Sequence, residues 1–266
     1  MASFYVSSGA AFESTELTRG PWDAESQHAG PPAALVGRAL ERCDGIGEGV
    51  GDRLVVRVTY EILRPVPIAP LRVEAAVVRP GRRVDMVEAT LSDEAGVALV
   101  RARGWRMLRR EVDVPAELTS EGGETPPGPE GIENSEVFFP TGKDIGYHVG
   151  MDYRFITGSF VEVGPATCWM RMRQPLVDDE EPTPLQRALV AADSGNGISS
   201  TLDFERFLFI NVDLTVHLHR MPAGEWVCLD SLTIPESTGV GLADTTLYDE
   251  LGPIGRAAQS LLVAER

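Results

Sequence analysis

The chain lacks most of the features that would assign a function class at a glance. No stretch approaches the ~18 consecutive apolar residues that a membrane helix needs, so no membrane span is expected. Its opening residues, MASFYVSSGAAFE, have no basic region ahead of an apolar run, which is not the pattern of a secretory signal. A cytoplasmic protein is expected. Cysteine is scarce: Cys43, Cys168 and Cys228 are scattered, with no CxxC or Cys/His spacing to suggest a zinc site or a disulfide framework. Buried thiols acting as small hydrophobes are the expectation. Positive charge is also short, with 24 Lys and Arg against 40 Asp and Glu and a net charge of −16. That balance argues against a nucleic-acid partner, since affinity for phosphate backbones comes from Lys and Arg. No Gly-x-Ser-x-Gly elbow supports a serine hydrolase.

What is present is an ordinary globular composition, 43% hydrophobic and 24% charged, in 266 residues. That length suffices for one large domain or two small ones, each with a core. Two segments share a pattern. In 54–63, LVVRVTYEIL, the apolar Val56, Val58, Tyr60 and Ile62 alternate with Arg57, Thr59 and Glu61. In 210–220, INVDLTVHLHR, Val212, Leu214, Val216 and Leu218 alternate with Asp213, Thr215, His217 and His219. Both have the period of a half-buried strand. They fall at one offset of 156 residues, which takes Thr59 to Thr215 and Arg64 to Arg220. The offset reads on without a gap, from Val84 to Val240, Gly96 to Gly252 and Ala102 to Ala258. In each copy an Asp-Glu-x-Gly turn separates two apolar runs, a hairpin signal. The chain is therefore read as a duplication.

Each strand block follows a helical segment. In the first copy it is 31–43, PPAALVGRALERC, with proline in the first turn. In the second it is 182–193, PTPLQRALVAAD, where Thr183 would cap and Pro184 open the helix. Between the copies, 114–136 is rich in Gly, Pro and acid, the composition of a passive, mobile linker. The expected fold class is α+β, a double hotdog: two tandem hotdog units, each a long helix wrapped by a curved antiparallel sheet. The units are expected at 1–112 and 139–266, joined by an acidic Gly/Pro-rich linker at 113–138.

The strings that carry these features, HAGPPAALVGRAL (28–40), VTYEILRPVP (58–67) and WRM (105–107), then ALVAADSGNGI (188–198), NVDLTVHLHR (211–220) and GRAAQSLLV (255–263), occur in order. In them the chain resembles the acyl-CoA thioesterase II (TesB-like) double-hotdog family across nearly its whole length, the linker excepted. The resemblance implies a water held by a helical aspartate, a threonine-like residue on the next strand and a glutamine on the last strand. Residue by residue these fall on Asp193, Asn211 and Gln259. Asn211 departs from the family by offering an amide in place of a hydroxyl.

Asp193 also stands out on physical grounds. It shares a helix face with Leu185 and Leu189, which draws its carboxylate toward an apolar interior. There it must pair or give up its charge, and a base near neutral pH needs such a setting. The competing explanation is that Asp193 simply ends its helix, because DSGNG is a loop-forming string. At the 156 offset Gln259 maps to Arg103 and Asn211 to Val55, so the first copy lacks the polar pair. Aligning the two RAL strings pairs Asp193 with Asp44. The first copy has instead HAGPP at its helix start, and His28 and Gly30 are expected to bind substrate there. A helix N-terminus suits a polarised carbonyl, though Gly and Pro at that place also serve helix geometry alone. Alternation puts His217 and His219 on the face opposite Val216 and Leu218, which favours solvent over a metal. Arg79, Arg82 and Arg83 form a basic turn that would suit a CoA phosphate or merely solvent.

The expected function is an acyl-CoA thioesterase that cleaves a fatty or related acyl-CoA to free acid and CoA by Asp-activated water. No cofactor and no metal are required, acyl-CoA is the small-molecule substrate, and a homodimer is expected. Two alternatives stay open: a non-catalytic acyl-CoA binding or regulatory hotdog protein, and a hotdog enoyl-thioester hydratase or dehydratase. The latter would want an Asp–His pair.

Overall fold

The computed structural model describes residues 2–43, 53–115, 125–137 and 141–266. The first part of the chain forms a short hairpin, β1 (Tyr5–Ser8) and β2 (Ala11–Ser14), followed by helix α1 (Gly30–Arg42). Four long strands come next: β3 (Arg53–Ile62), β4 (Pro70–Arg79), β5 (Val84–Asp93) and β6 (Ala98–Leu108). The second part opens with the single turn α2 (Tyr147–Gly150), then β7 (Met151–Thr157) and β8 (Ala166–Met172). Helix α3 (Pro184–Ala192) and the short α4 (Gly195–Ile198) precede β9 (Phe207–Asn211), β10 (Asp213–Leu218), β11 (Trp226–Pro235), β12 (Val240–Asp249) and β13 (Gly252–Glu265). Two strands precede each long helix. No helix among the described residues is long and apolar enough to cross a membrane.

The strands form one antiparallel sheet in the order β1-β2-β4-β5-β6-β3-β10-β13-β12-β11-β8-β7, with β9 beside β13. The duplication sits at its centre. β3 pairs with β10 so that Thr59 faces Thr215 and Val58 faces Val216. Residues related by the 156 offset thus meet across a local two-fold axis, where the two threonine hydroxyls lie 3.2 Å apart. β4 and β11 have identical bounds at this offset, as do β5 and β12. The irregularity at Val56 in β3 recurs as the break at Val212 between β9 and β10.

The ungapped register does not continue through the last hairpin. Val87 pairs with Gly104 in the first half, and its counterpart Ala243 pairs with Gln259 in the second. The structural partner of Gln259 is therefore Gly104, at an offset of 155, and not Arg103. The cause is loop length: three residues follow Asp93 before pairing resumes at Val97, but only two separate Asp249 from Gly252. A slip of one residue exchanges the two faces of a strand. Arg103 accordingly points outward and pairs with Glu88.

The core lies between the sheet and the two long helices, which pack against each other. Burying their apolar faces in this way is what stabilises helices this short. Thr183 caps α3 in a reciprocal capping box with Gln186, and Pro184 stands in the first turn. The helices run antiparallel at close range. A Cβ on Gly30 would sit 2.5 Å from the backbone Val190 O, so glycine is required there, and one on Gly37 would sit 2.2 Å from Leu189 Cδ1, whose side chain would have to move. The passive linker expected at 113–138 lies partly outside the described residues, but its later part is docked. Pro127 O accepts from Trp169 Nε1 at 2.7 Å, Pro129 O from Arg154 at 2.8 Å, and Ile132 packs on a second cluster of Trp169, Trp226, Cys228 and Tyr248.

Candidate functional site

Asp193 is the C-cap of α3 and is 6% exposed. It ends its helix and its carboxylate is also buried. Burial comes from the helix face it shares with Leu185 and Leu189, both fully inside. A lone carboxylate there would be costly, and the structure surrounds it with donors. Asn211 Nδ2 donates to Asp193 Oδ1 at 2.8 Å, and Gln259 Nε2 donates to the same oxygen at 3.1 Å. His28 Nδ1 lies 3.0 Å from Oδ2. The three residues come from three places: Asn211 ends β9, Gln259 faces inward from β13, and His28 precedes α1 in the other half of the molecule.

The same His28 nitrogen lies 3.1 Å from Gly30 N. One nitrogen cannot both accept the Gly30 N–H and donate to Asp193. The Gly30 N–H points at Nδ1 and donates to it; a proton on Nδ1 would replace that bond with a charge-assisted one to Asp193. Gly30 has a packing reason as well, the close approach to Val190 described above.

Further residues that no sequence signal singled out complete the arrangement. The ring of Tyr147 stacks on His28 with centroids 3.9 Å apart and planes 14° from parallel. Its hydroxyl donates to Val190 O at 2.8 Å and lies 2.9 Å from Ser194 Oγ. Burial pushes the Tyr147 phenol well above its usual range, so it stays neutral. Asn196 N donates to Gln259 Oε1 at 3.2 Å, and Asn196 Nδ2 to Phe209 O at 2.8 Å, which fixes the glutamine amide. Tyr147 lies in GYHVG, far from α3 in sequence, and only the tertiary fold brings it under His28.

Asp193 lines a small apolar cleft whose other walls include Ala29, Pro32, Tyr60, Ile62 and Leu214. The first half offers no equivalent polar group at two of the three positions: Val55 stands for Asn211 and Gly104 for Gln259. Asp44 lies outside the described residues. His217 and His219 are exposed, on the sheet face away from the cleft. The Arg79 guanidinium lies over the Trp105 ring, 5.7 Å from its centroid. Among the described residues no group of three or more His, Cys, Asp or Glu side chains is arranged to hold a metal.

The chain matches known proteins along nearly its full length. The family model of the acyl-CoA thioesterase N-terminal domain matches residues 18–107, and that of the C-terminal domain matches 122–263. A protein of Thermobifida fusca assigned as a thioesterase II is similar at a TM-score of 0.73 and 20% identity, covering 98% of this chain and 95% of the other. A protein of Alicyclobacillus acidocaldarius with a hot dog fold gives 0.72 and 17% identity, covering 98% and 95%. The acyl-CoA thioesterase II of Mycobacterium marinum gives 0.65 and 14%, covering 94% and 96%. At these identities the structures show a shared hot dog fold. No curated protein matches the chain.

Proposed function

We propose that this chain, which belongs to the acyl-CoA thioesterase family, hydrolyses acyl-CoA with a water activated by Asp193. The observation that carries this reading is the convergence of Asn211, Gln259 and His28 on one buried carboxylate that lines an apolar cleft. Two amides on Oδ1 and the imidazole on Oδ2 fix the carboxylate while leaving one lone pair, on Oδ2, for a water. That water adds to the thioester carbonyl carbon as its proton passes to Asp193. The tetrahedral intermediate then collapses, the C–S bond breaks, and the CoA thiolate takes up the proton. Gly30 N–H, at the start of α1, would serve the developing oxyanion when His28 Nδ1 donates to Asp193 instead of accepting from Gly30. His28 and Gly30 come from one half and Asp193 from the other, so the site is composite and needs both units of a double hotdog.

The expected homodimer fits this reading. Ile234 pairs with Leu242 and Val240 with Leu262, and all four are exposed, a patch suited to a second copy. The cytoplasmic placement is kept from the sequence.

The test is release of free CoA thiol from a panel of acyl-CoAs. Wild type should release it, and Asp193→Ala should lower kcat/KM about 10³-fold, the scale of general-base catalysis. Equal rates in the two proteins would remove Asp193 from the chemistry. A second reading has one specific observation behind it: His28 and Asp193 form the Asp–His pair that an enoyl-thioester hydratase wants. Loss of enoyl absorbance with crotonyl-CoA, without thiol release, would favour it.

A further inference from the structure

We infer that two copies of this chain associate through the outer face of the sheet, the β4–β5 hairpin end of one copy lying against the β11–β12 hairpin end of the other. The interface is independent of the chemistry proposed for Asp193. Asp85 and Val87 point into the core, and alternation turns Val84, Met86 and, on β6, Met107 to the outer face. Their counterparts are Val240, Leu242 and Leu262, since Val84 pairs with Met107 as Val240 pairs with Leu262. These three are each at least 43% exposed, and Met107 is 45% exposed. The same end of each half thus shows the same apolar surface to solvent, and contiguous patches of this kind mark contacts between proteins.

Charge tells the two patches apart. Arg79, Arg82 and Arg83 frame the first in the β4–β5 hairpin. Arg109 and Arg110 follow the end of β6 beside it, where Leu108 N donates to Arg83 O at 2.8 Å. All five arginines are exposed. In the β11–β12 hairpin Pro235, Thr238 and Gly239 stand for the first three, and Glu236 is exposed among them. At the end of β13, Ala264 and an exposed Glu265 stand for the other two, while Arg266 is held over the Trp22 and Phe204 rings. One step along the same face the charges cancel in both halves, Glu88 with Arg103 and Asp244 with Arg256. First patch against first patch would set arginine against arginine, which is repulsive. First against second sets the arginines against Glu236 and Glu265, with matching apolar residues between them. In a two-fold dimer this contact is made twice.

Sedimentation velocity of the full chain at micromolar concentration should show a dimer, and Leu242→Glu should shift it to monomer. Arg82→Glu combined with Arg83→Glu sets acid against acid in both contacts, and Glu236→Arg sets base against base. Each should raise the dimer dissociation constant at least about tenfold. The altered side chains are all exposed, so the fold is retained, as unchanged far-ultraviolet circular dichroism should show. An equimolar mixture of the two charge variants decides the matter. Its mixed dimer has one contact with the charges exchanged and one native contact, so dimer should return at the wild-type concentration. A wild type that stays monomeric overturns the inference. So does a mixture no more dimeric than its components, which with Leu242→Glu still monomeric would mean that the second half's patch meets its own like.

Discussion

The two halves of the molecule share a strand scaffold almost residue for residue, yet they place their buried polar groups in different regions. In the second half, β11 and β12 turn Ser231, Thr233 and Thr245 inward, where the first half has Ala75, Val77 and Ala89. Asn211 and Gln259 stand where the first half has Val55 and Gly104. The first half reverses the pattern at the other end of its sheet. There Arg106 and Asp85 are both 2% exposed and paired, with Arg106 Nε 2.9 Å from Asp85 Oδ1. Their counterparts in the second half are Leu261 and Gly241. Arg106 also donates to Leu40 O and Cys43 O, capping the end of α1. One polar cluster therefore closes a helix, and the other surrounds a carboxylate at a cleft. A backbone template fixes where side chains point without fixing whether they hold structure or do chemistry.

The difference between the halves bears most heavily on Arg106. Arg106→Met leaves Asp85 buried without its main partner, which should cost about 3 kcal/mol of unfolding free energy by denaturant titration. CoA release per folded molecule should be unchanged. Loss of activity at full stability would mean that the first half's cluster is also functional. The converse change is to remove the second half's polar pair. Gln259→Leu and Asn211→Val each remove a hydrogen bond to a charged group, worth ~1.5–3 kcal/mol, so kcat should fall about 10- to 100-fold. The fall should appear in kcat more than in KM, since neither side chain is a wall of the cleft. A change in KM alone would show that these amides hold the substrate and not the carboxylate.

How far the sequence disclosed this arrangement depended on the kind of signal. Period-two alternation and the 156 offset were enough for the strands, because buried faces repeat along the chain. Thr183, Pro184 and the apolar face through Leu189 placed α3 and its terminal Asp193, because capping is local. Gln259 was found, but its partner was misassigned to Arg103. A hairpin loop shortened by one residue leaves the residue types plausible while exchanging the faces, and letters alone do not reveal the slip. His28 could be placed only at a helix start. Its approach to Asp193 depends on two helices crossing where Gly30 and Gly37 remove their side chains, a tertiary fact with no periodic trace. Tyr147 and Asn196 were missed for the same reason.

The smallest expected effect concerns the seam that makes the site composite. Glu180, just before α3, accepts from Arg38 Nε at 2.8 Å and from Arg42 at 2.8 Å, both on α1. The hydrogen bonds from Arg38 lead the causes that hold its carboxyl down, from 4.5 to about 2. Because the folded-state value is depressed, the stabilisation is fully present above pH 4.5 and is lost as pH falls toward 2. The pair is partly open to solvent, with side chains 16% and 27% exposed, so screening keeps the gain modest. Glu180→Gln should lower stability slightly at neutral pH and flatten its decline between pH 4.5 and 2, seen as converging melting temperatures. If the seam also sets the distance from His28 to Asp193, the variant should lose a little kcat at neutral pH. An unchanged kcat would mean that the Gly30 and Gly37 crossings alone hold the two halves in register.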